Sequence, residues 1–103
     1  MRPPPGIALA VYRIVQESLT NVLKHAGAGA KASVTIIRSA GTVLISVYDD
    51  GAGPSGQASS TAHGIVGMRE RAAAYGGTLR TGARPSGGFE VEALIPVPAQ
   101  EAP

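Results

Sequence analysis

The chain has 103 residues, 44% of them hydrophobic, and a formal net charge of +2, which suits one domain and not two. The absence of cysteine excludes disulfides, thiolate metal sites and cysteine nucleophiles, and so small a charge without a long basic run argues against a nucleic-acid surface. No apolar run approaches the ~18 residues of a membrane span and no signal-peptide pattern opens the chain, so the expected compartment is the cytoplasm, or the cytosolic part of a membrane-anchored protein, with no direct membrane contact.

The opening "MRPPPG", residues 1–6, is a proline-rich lead-in, and a helix is expected just after it. Ala8, Val11, Tyr12, Val15, Leu19, Val22, Leu23 and Ala26 then recur at helical spacing, and "AGAGA" ends the run. "KASVTIIR" and "TVLISVYDD" alternate and carry β-branched residues, so they predict a β-hairpin turning at "SAG". "DGAGPSGQASSTAHG" has the composition of a loop, and a loop that long in a small domain is usually functional or disordered. "IVGMRERAAAY" predicts a second helix stopped by Gly76 and Gly77. "TLRTG" and "GFEVEALIP" predict a second hairpin around "ARPSG", with Phe89, Val91, Ala93 and Ile95 on one face, and residues 97–103 form a tail. The order α, β, β, loop, α, β, β predicts a mostly antiparallel sheet with its helices on one face.

On the first helix, Leu19 and Val15 mark the centre of the expected apolar arc at ~100° per residue. Glu17, Asn21 and Lys24 fall within about 60° of one another on the opposite side. This line is either a solvated face or the wall of a site. A carboxylate and a carboxamide one turn apart offer hard oxygens suited to Mg²⁺, which takes few protein ligands. A lysine one turn further reaches a phosphate as a point charge. "DDGAG" directly after a strand, a long small-residue loop, and then "HGIVGM" at the expected start of a helix follow in order. A glycine-flanked helix N-terminus suits an anion. Arg69, Glu70 and Arg71 are expected on a solvated face, and Tyr12 and Tyr75 in the core or at its rim.

These motifs together resemble the ATP-binding catalytic domain of two-component sensor histidine kinases, within the superfamily that also holds gyrase-type ATPases. The likeness is greatest to the class typified by the nitrate and desaturase-regulating sensors. "YRIVQESLTNVLKHA" resembles the family's Asn-containing helix, "VYDDGAG" its Asp-x-Gly-x-Gly motif, "HGIVGMRERAAAYGGTL" the far end of its ATP lid, and "SGGFEVEALIP" its closing glycine motif and strand. The resemblance runs from about Ala10 to Pro96. It implies a two-layer α/β sandwich of the Bergerat type, a mixed and mostly antiparallel sheet with helices on one face, as a single domain over residues 1–103 with the lid at 54–63. Asn21 would ligate Mg²⁺ and Glu17 would act on it through water, the two forming the catalytic pair. Lys24 would contact phosphate and His25 would line the nucleotide. Asp50 would accept a hydrogen bond from the adenine amino group, with Gly51 and Gly53 closing around the base. His63, Gly64, Ile65, Gly67 and Met68 would complete the ATP site at the lid's end.

ATP and Mg²⁺ are thus the implied cofactors. The implied partners are a dimerisation and phosphoacceptor helical domain of the same kinase and, indirectly, a response regulator. Departures from the family pattern are Ala62 where a lid glycine is usual, Gly88 where many relatives carry a hydroxyl residue, and a truncated first strand, since only "MRPPPG" precedes the helix. An anti-sigma-type serine kinase, or a nucleotide-binding module without transfer activity, remains the alternative.

Overall fold

The computed structural model describes residues 5–25, 27, 29–51, 58–85 and 87–98, and of residues 5, 25 and 58–63 the backbone only. The elements run α1 (Pro5–His25), β1 (Ala32–Ser39), β2 (Thr42–Asp49), α2 (Ala58–Ala73), β3 (Thr78–Ala83) and β4 (Phe89–Pro96). The strands form one antiparallel sheet in the order β1-β2-β4-β3. β2 and β3 are therefore parallel to each other, with α2 as their crossover and β4 inserted between them. This is a split β-α-β unit. Both expected hairpins are present, and α2 ends where expected, with Gly76 at φ +79° and the Gly77 N–H donating to the Ala72 carbonyl at 2.8 Å.

Alternation along the strands decides which residues enter the core. Val43, Ile45 and Val47 of β2, Leu79 of β3, and Val91, Ala93 and Ile95 of β4 are buried, while Phe89 is partly buried against them. Ile7, Ile14, Met68 and Ala72 cover this face from the helices. The helices run antiparallel: Gly64 of α2 lies against Glu17 of α1, the Ser18 hydroxyl lies 3.4 Å from the Met68 sulfur, and Gly6 lies against Tyr75. On the outer face Arg80 pairs with Glu92, whose hydrogen bond and charge hold the guanidinium above its ordinary range. Strand β1 lies at one edge of the sheet. All eight of its positions are exposed, including Val34, Ile36 and Ile37.

Three expectations change. The second helix begins at Ala58 rather than near Ile65, so the small-residue segment is helical from Ala58 onward. Serine and alanine are tolerated in helices once tertiary contacts hold the segment. The inward face of α1 is centred on Ile14 and Ser18, with 0% and 2% exposure, and not on Leu19 and Val15, which are half-buried. Tyr12 is not core, being 60% exposed, and Tyr75 is 40% exposed at the rim. Arg69, Glu70 and Arg71 are exposed as expected, with the Arg69 Nε reaching the Leu79 carbonyl at 3.4 Å.

Candidate nucleotide site

The helix geometry explains the polar line on α1. At ~100° per residue, Asn21 lies about 20° and Glu17 about 60° from Ile14, so both belong to the inward half of the helix. Both side chains are half-buried. The buried Asn21 Nδ2 has no hydrogen-bond partner among the described residues. A buried unpaired amide is costly, and a half-turn of the carboxamide puts its oxygen in the same place. The group is therefore suited to a ligand that supplies the missing partner. Glu17 packs against the next helix: a Cβ on Gly64 would lie 2.5 Å from Glu17 Oε2. Lys24 is exposed at the rim of this arc, in the last turn of α1.

At the end of β2 two adjacent carboxylates separate. Asp49 continues the inward series of Val43, Ile45 and Val47 and is 5% exposed. Its Oδ1 accepts the Gly51 N–H at 2.9 Å, which leaves Oδ2 without a partner among the described residues. Asp50 turns outward and is exposed, its Oδ1 accepting the Lys31 N–H at 2.7 Å while its own N–H donates to the Lys31 carbonyl at 3.1 Å. This reciprocal pair clips the open end of the β1–β2 hairpin. Asp50, expected to accept a hydrogen bond from the adenine amino group, thus turns its carboxylate away from the helix side, and Asp49 is the one that faces it. The strand's alternation is the physical reason, and it was available in the sequence. The Asp-x-Gly-x-Gly spelling likewise starts at Asp49 and runs through Gly51 to Gly53.

Chain connection brings the two carboxylates and the carboxamide to one end of the sandwich. Only residues 26–31 separate the end of α1 from β1, and Ala32 at the start of β1 pairs with Asp49. Gly51 follows at once, and Gly64 comes back against Glu17. Glu17, Asn21, Asp49, Gly51 and Gly64 thus gather at that end. A groove of about 380 Å³ lined by Leu9, Arg13, Arg71 and Tyr75 lies at the other end of the helix pair and is separate from this cluster.

Other expected site residues are placed differently. Met68 is fully buried in the core, touched by the Ser18 hydroxyl. Ile65 is half-buried against the core, and Gly67 faces the Arg71 guanidinium rather than α1. Because α2 starts at Ala58, Gly64 to Met68 lie inside the helix, so their N–H groups are not the free donors of a helix start. Gly53 lies outside the described residues, as do the side chains of His25, Ala62 and His63. Gly88, with φ +93°, packs its Cα against the Asp49–Asp50 backbone, where any side chain would overlap.

A family model described as histidine kinase-, DNA gyrase B- and HSP90-like ATPase matches residues 6–99. The chain is 34% identical over 94 residues to the sensor histidine kinase YxjM of Bacillus subtilis, covering 91% of this chain and 22% of that protein. It is 30% identical over 99 residues to the sensor protein VraS of Staphylococcus epidermidis, covering 95% of this chain and 28% of the relative. The chain thus spans about a quarter of the length of these curated relatives. Among solved structures, the ATP-binding domain of PrrB from Mycobacterium tuberculosis superposes with a TM-score of 0.65 at 28% identity, over 91% of this chain and 68% of that one. The catalytic domain of histidine kinase ThkA superposes at 0.68 with 18% identity, over 86% and 67% of the two chains, a likeness of fold. With its split α/β sandwich and its inward Asn21 and Asp49, the chain belongs to the histidine kinase-, DNA gyrase B- and HSP90-like ATPase family and has the fold of a histidine-kinase catalytic domain.

Proposed function

We propose that the chain is the ATP- and Mg²⁺-binding catalytic domain of a sensor histidine kinase of the nitrate- and desaturase-sensor class. It passes the γ-phosphoryl group to a histidine on a separate dimerisation domain, and the signal goes from there to a response regulator. The observation that carries this reading is the inward Asn21 Nδ2, without a hydrogen-bond partner among the described residues, at the same end of the sandwich as the buried Asp49 carboxylate. Asp49 accepts a hydrogen bond from the adenine amino group through Oδ2, Gly51 allows close approach of the base, and Lys24 reaches phosphate from the rim.

The donor set suits Mg²⁺, which keeps waters and phosphate oxygens and needs only one or two protein ligands. Asn21 would hold it directly and Glu17 through water, and when bound it neutralises charge on the phosphates. Glu17, one turn before Asn21, holds or polarises water near that ion. Phosphoryl transfer asks a protein mainly for such positioning and charge balance. His25, His63 and Gly53 complete the proposed site from the resemblance alone, and a cytoplasmic location follows from the same reading.

Titration calorimetry with Mg-ATP tests the site. Asp49→Asn is expected to weaken binding roughly 10- to 150-fold, the value of a hydrogen bond to a charged group. Asn21→Ala is expected to abolish the Mg²⁺-dependent part of the affinity. Wild-type binding by both variants would end the proposal. Mixing the chain with its dimerisation helices and labelled ATP should yield acid-labile phosphohistidine; labelled serine on a partner protein would point to an anti-sigma-type kinase instead.

A further inference from the structure

The Asp49 backbone is gripped from behind by the β3–β4 turn. Pairing between β2 and β4 ends at Tyr48 with Glu90, so the strand ladder does not reach Asp49 on that side. The Arg84 side chain takes over there. Its Nη1 donates to the Asp49 carbonyl at 3.2 Å, and its guanidinium carbon lies 4.2 Å from the centre of the Tyr48 ring. The turn holding Arg84 is itself closed, with the Arg84 N–H donating to the Gly88 carbonyl and the Gly87 N–H to the Arg84 carbonyl, each at 2.9 Å. Gly88 in that turn packs on the same Asp49 peptide. Arginine suits this place because a planar guanidinium stacks on an aromatic face while its edge donates hydrogen bonds. Lysine can supply the donor but not the stack.

We propose that Arg84 is a positioning residue that sets the preference for adenine. Stacked on Tyr48, it holds the Asp49 carbonyl and so fixes the direction in which the Asp49 carboxylate faces the base. This rests on the assignment of Asp49 as the base-reading carboxylate. Arg84 is half-buried, and its contact with the proposed base-reading residue is through the Asp49 carbonyl. Losing it loosens the recognition of the base rather than the grip on phosphates. Adenine recognition depends on an acceptor held near hydrogen-bond distance, about 2.9 Å, from the amino group, whereas guanine offers no donor there.

The test is titration of the whole chain with Mg-ATP and Mg-GTP, for the parent, Arg84→Met, Arg84→Lys, Tyr48→Leu and Asp49→Asn, with urea midpoints measured in parallel. Arg84→Met is expected to weaken ATP binding about tenfold and GTP binding less than twofold, the loss of roughly one hydrogen bond. Arg84→Lys should recover some of the preference, and Tyr48→Leu should lose some of it. An unchanged ATP-to-GTP ratio in Arg84→Met and Tyr48→Leu, with the ratio lost in Asp49→Asn, overturns the role of Arg84 alone. An unchanged ratio in Asp49→Asn overturns the assignment of Asp49, and with it this inference. A lowered urea midpoint with the ratio intact would make Arg84 merely structural.

Discussion

Gly87 and Gly88 permit a controlled test of how the β3–β4 turn meets the end of β2. Both have positive φ, +102° and +93°. A Cβ on Gly87 would meet nothing within 4 Å, whereas one on Gly88 would overlap the Asp49 carbonyl oxygen and lie 2.7 Å from its carbon and 3.0 Å from the Asp50 Cα. Those atoms are backbone and cannot swing away as a side-chain tip can. An alanine in the left-handed region costs about 1–2 kcal/mol, and this applies to both positions. Carbon atoms prefer separations of about 3.5–4.0 Å, so Gly88→Ala must also push the turn and the strand end about 1 Å apart, an overpacking cost of about 1–3 kcal/mol. The expected losses are therefore about 1–2 kcal/mol for Gly87→Ala and about 2–5 kcal/mol for Gly88→Ala. Against a total stability of about 5–15 kcal/mol, the second is severe. Urea unfolding followed by circular dichroism measures both. With a slope of about 1.5 kcal/mol per molar, the midpoint should fall about 1 M for Gly87→Ala and about 1.5–3 M for Gly88→Ala. Equal falls would refute the reasoning, because they would mean that backbone conformation, and not contact with Asp49, sets the cost.

Gly64→Ala places its methyl against the tip of the flexible Glu17 side chain, so stability should stay within about 1 kcal/mol of the parent, while phosphotransfer falls on the order of 10²-fold because Glu17 is displaced; full activity would show that Glu17 tolerates the shift. Asp50→Ala removes the acceptor for the Lys31 N–H and should cost about 0.5–1.5 kcal/mol in urea unfolding while leaving Mg-ATP affinity unchanged, the reverse of Asp49→Asn. Ile45→Ala, at a core site with no exposed surface, should cost about 2–5 kcal/mol by the same assay. Val34, Ile36 and Ile37 on β1 are 42%, 50% and 49% exposed, and an apolar edge of this kind pairs with other chains. Ile36→Lys should therefore reduce concentration-dependent association in sedimentation velocity, and an unchanged profile would show that the edge is not the cause.

The hairpins were legible because a two-residue period survives wherever one sheet face is buried. Val43, Ile45 and Val47, and Val91, Ala93 and Ile95, fall on the core side as their alternation requires. The same period points to Asp49 as the inward carboxylate, while the reading of the Asp-x-Gly-x-Gly resemblance takes Asp50. The start of α2 was hidden for another reason. "ASSTAHG" has weak helical preference, and its backbone becomes helical as the beginning of an element whose later residues, Met68 and Ala72, are locked into the core.

The order of elements, their hairpin turns and the stop at Gly76 are local properties, written in periodicity and in glycine's freedom at positive φ. Which face of α1 turns inward is not local. Asn21 and Glu17 lie among polar neighbours, and an apolar arc drawn from sequence leans away from them, because a site wall is polar and buried at once. Only the sheet and α2, packing on Ile14 and Ser18, settle the rotation of that helix. The alternation of β2 separates Asp49 from Asp50, and the meeting of α1's inward arc with that strand end turns scattered polar residues into one candidate site.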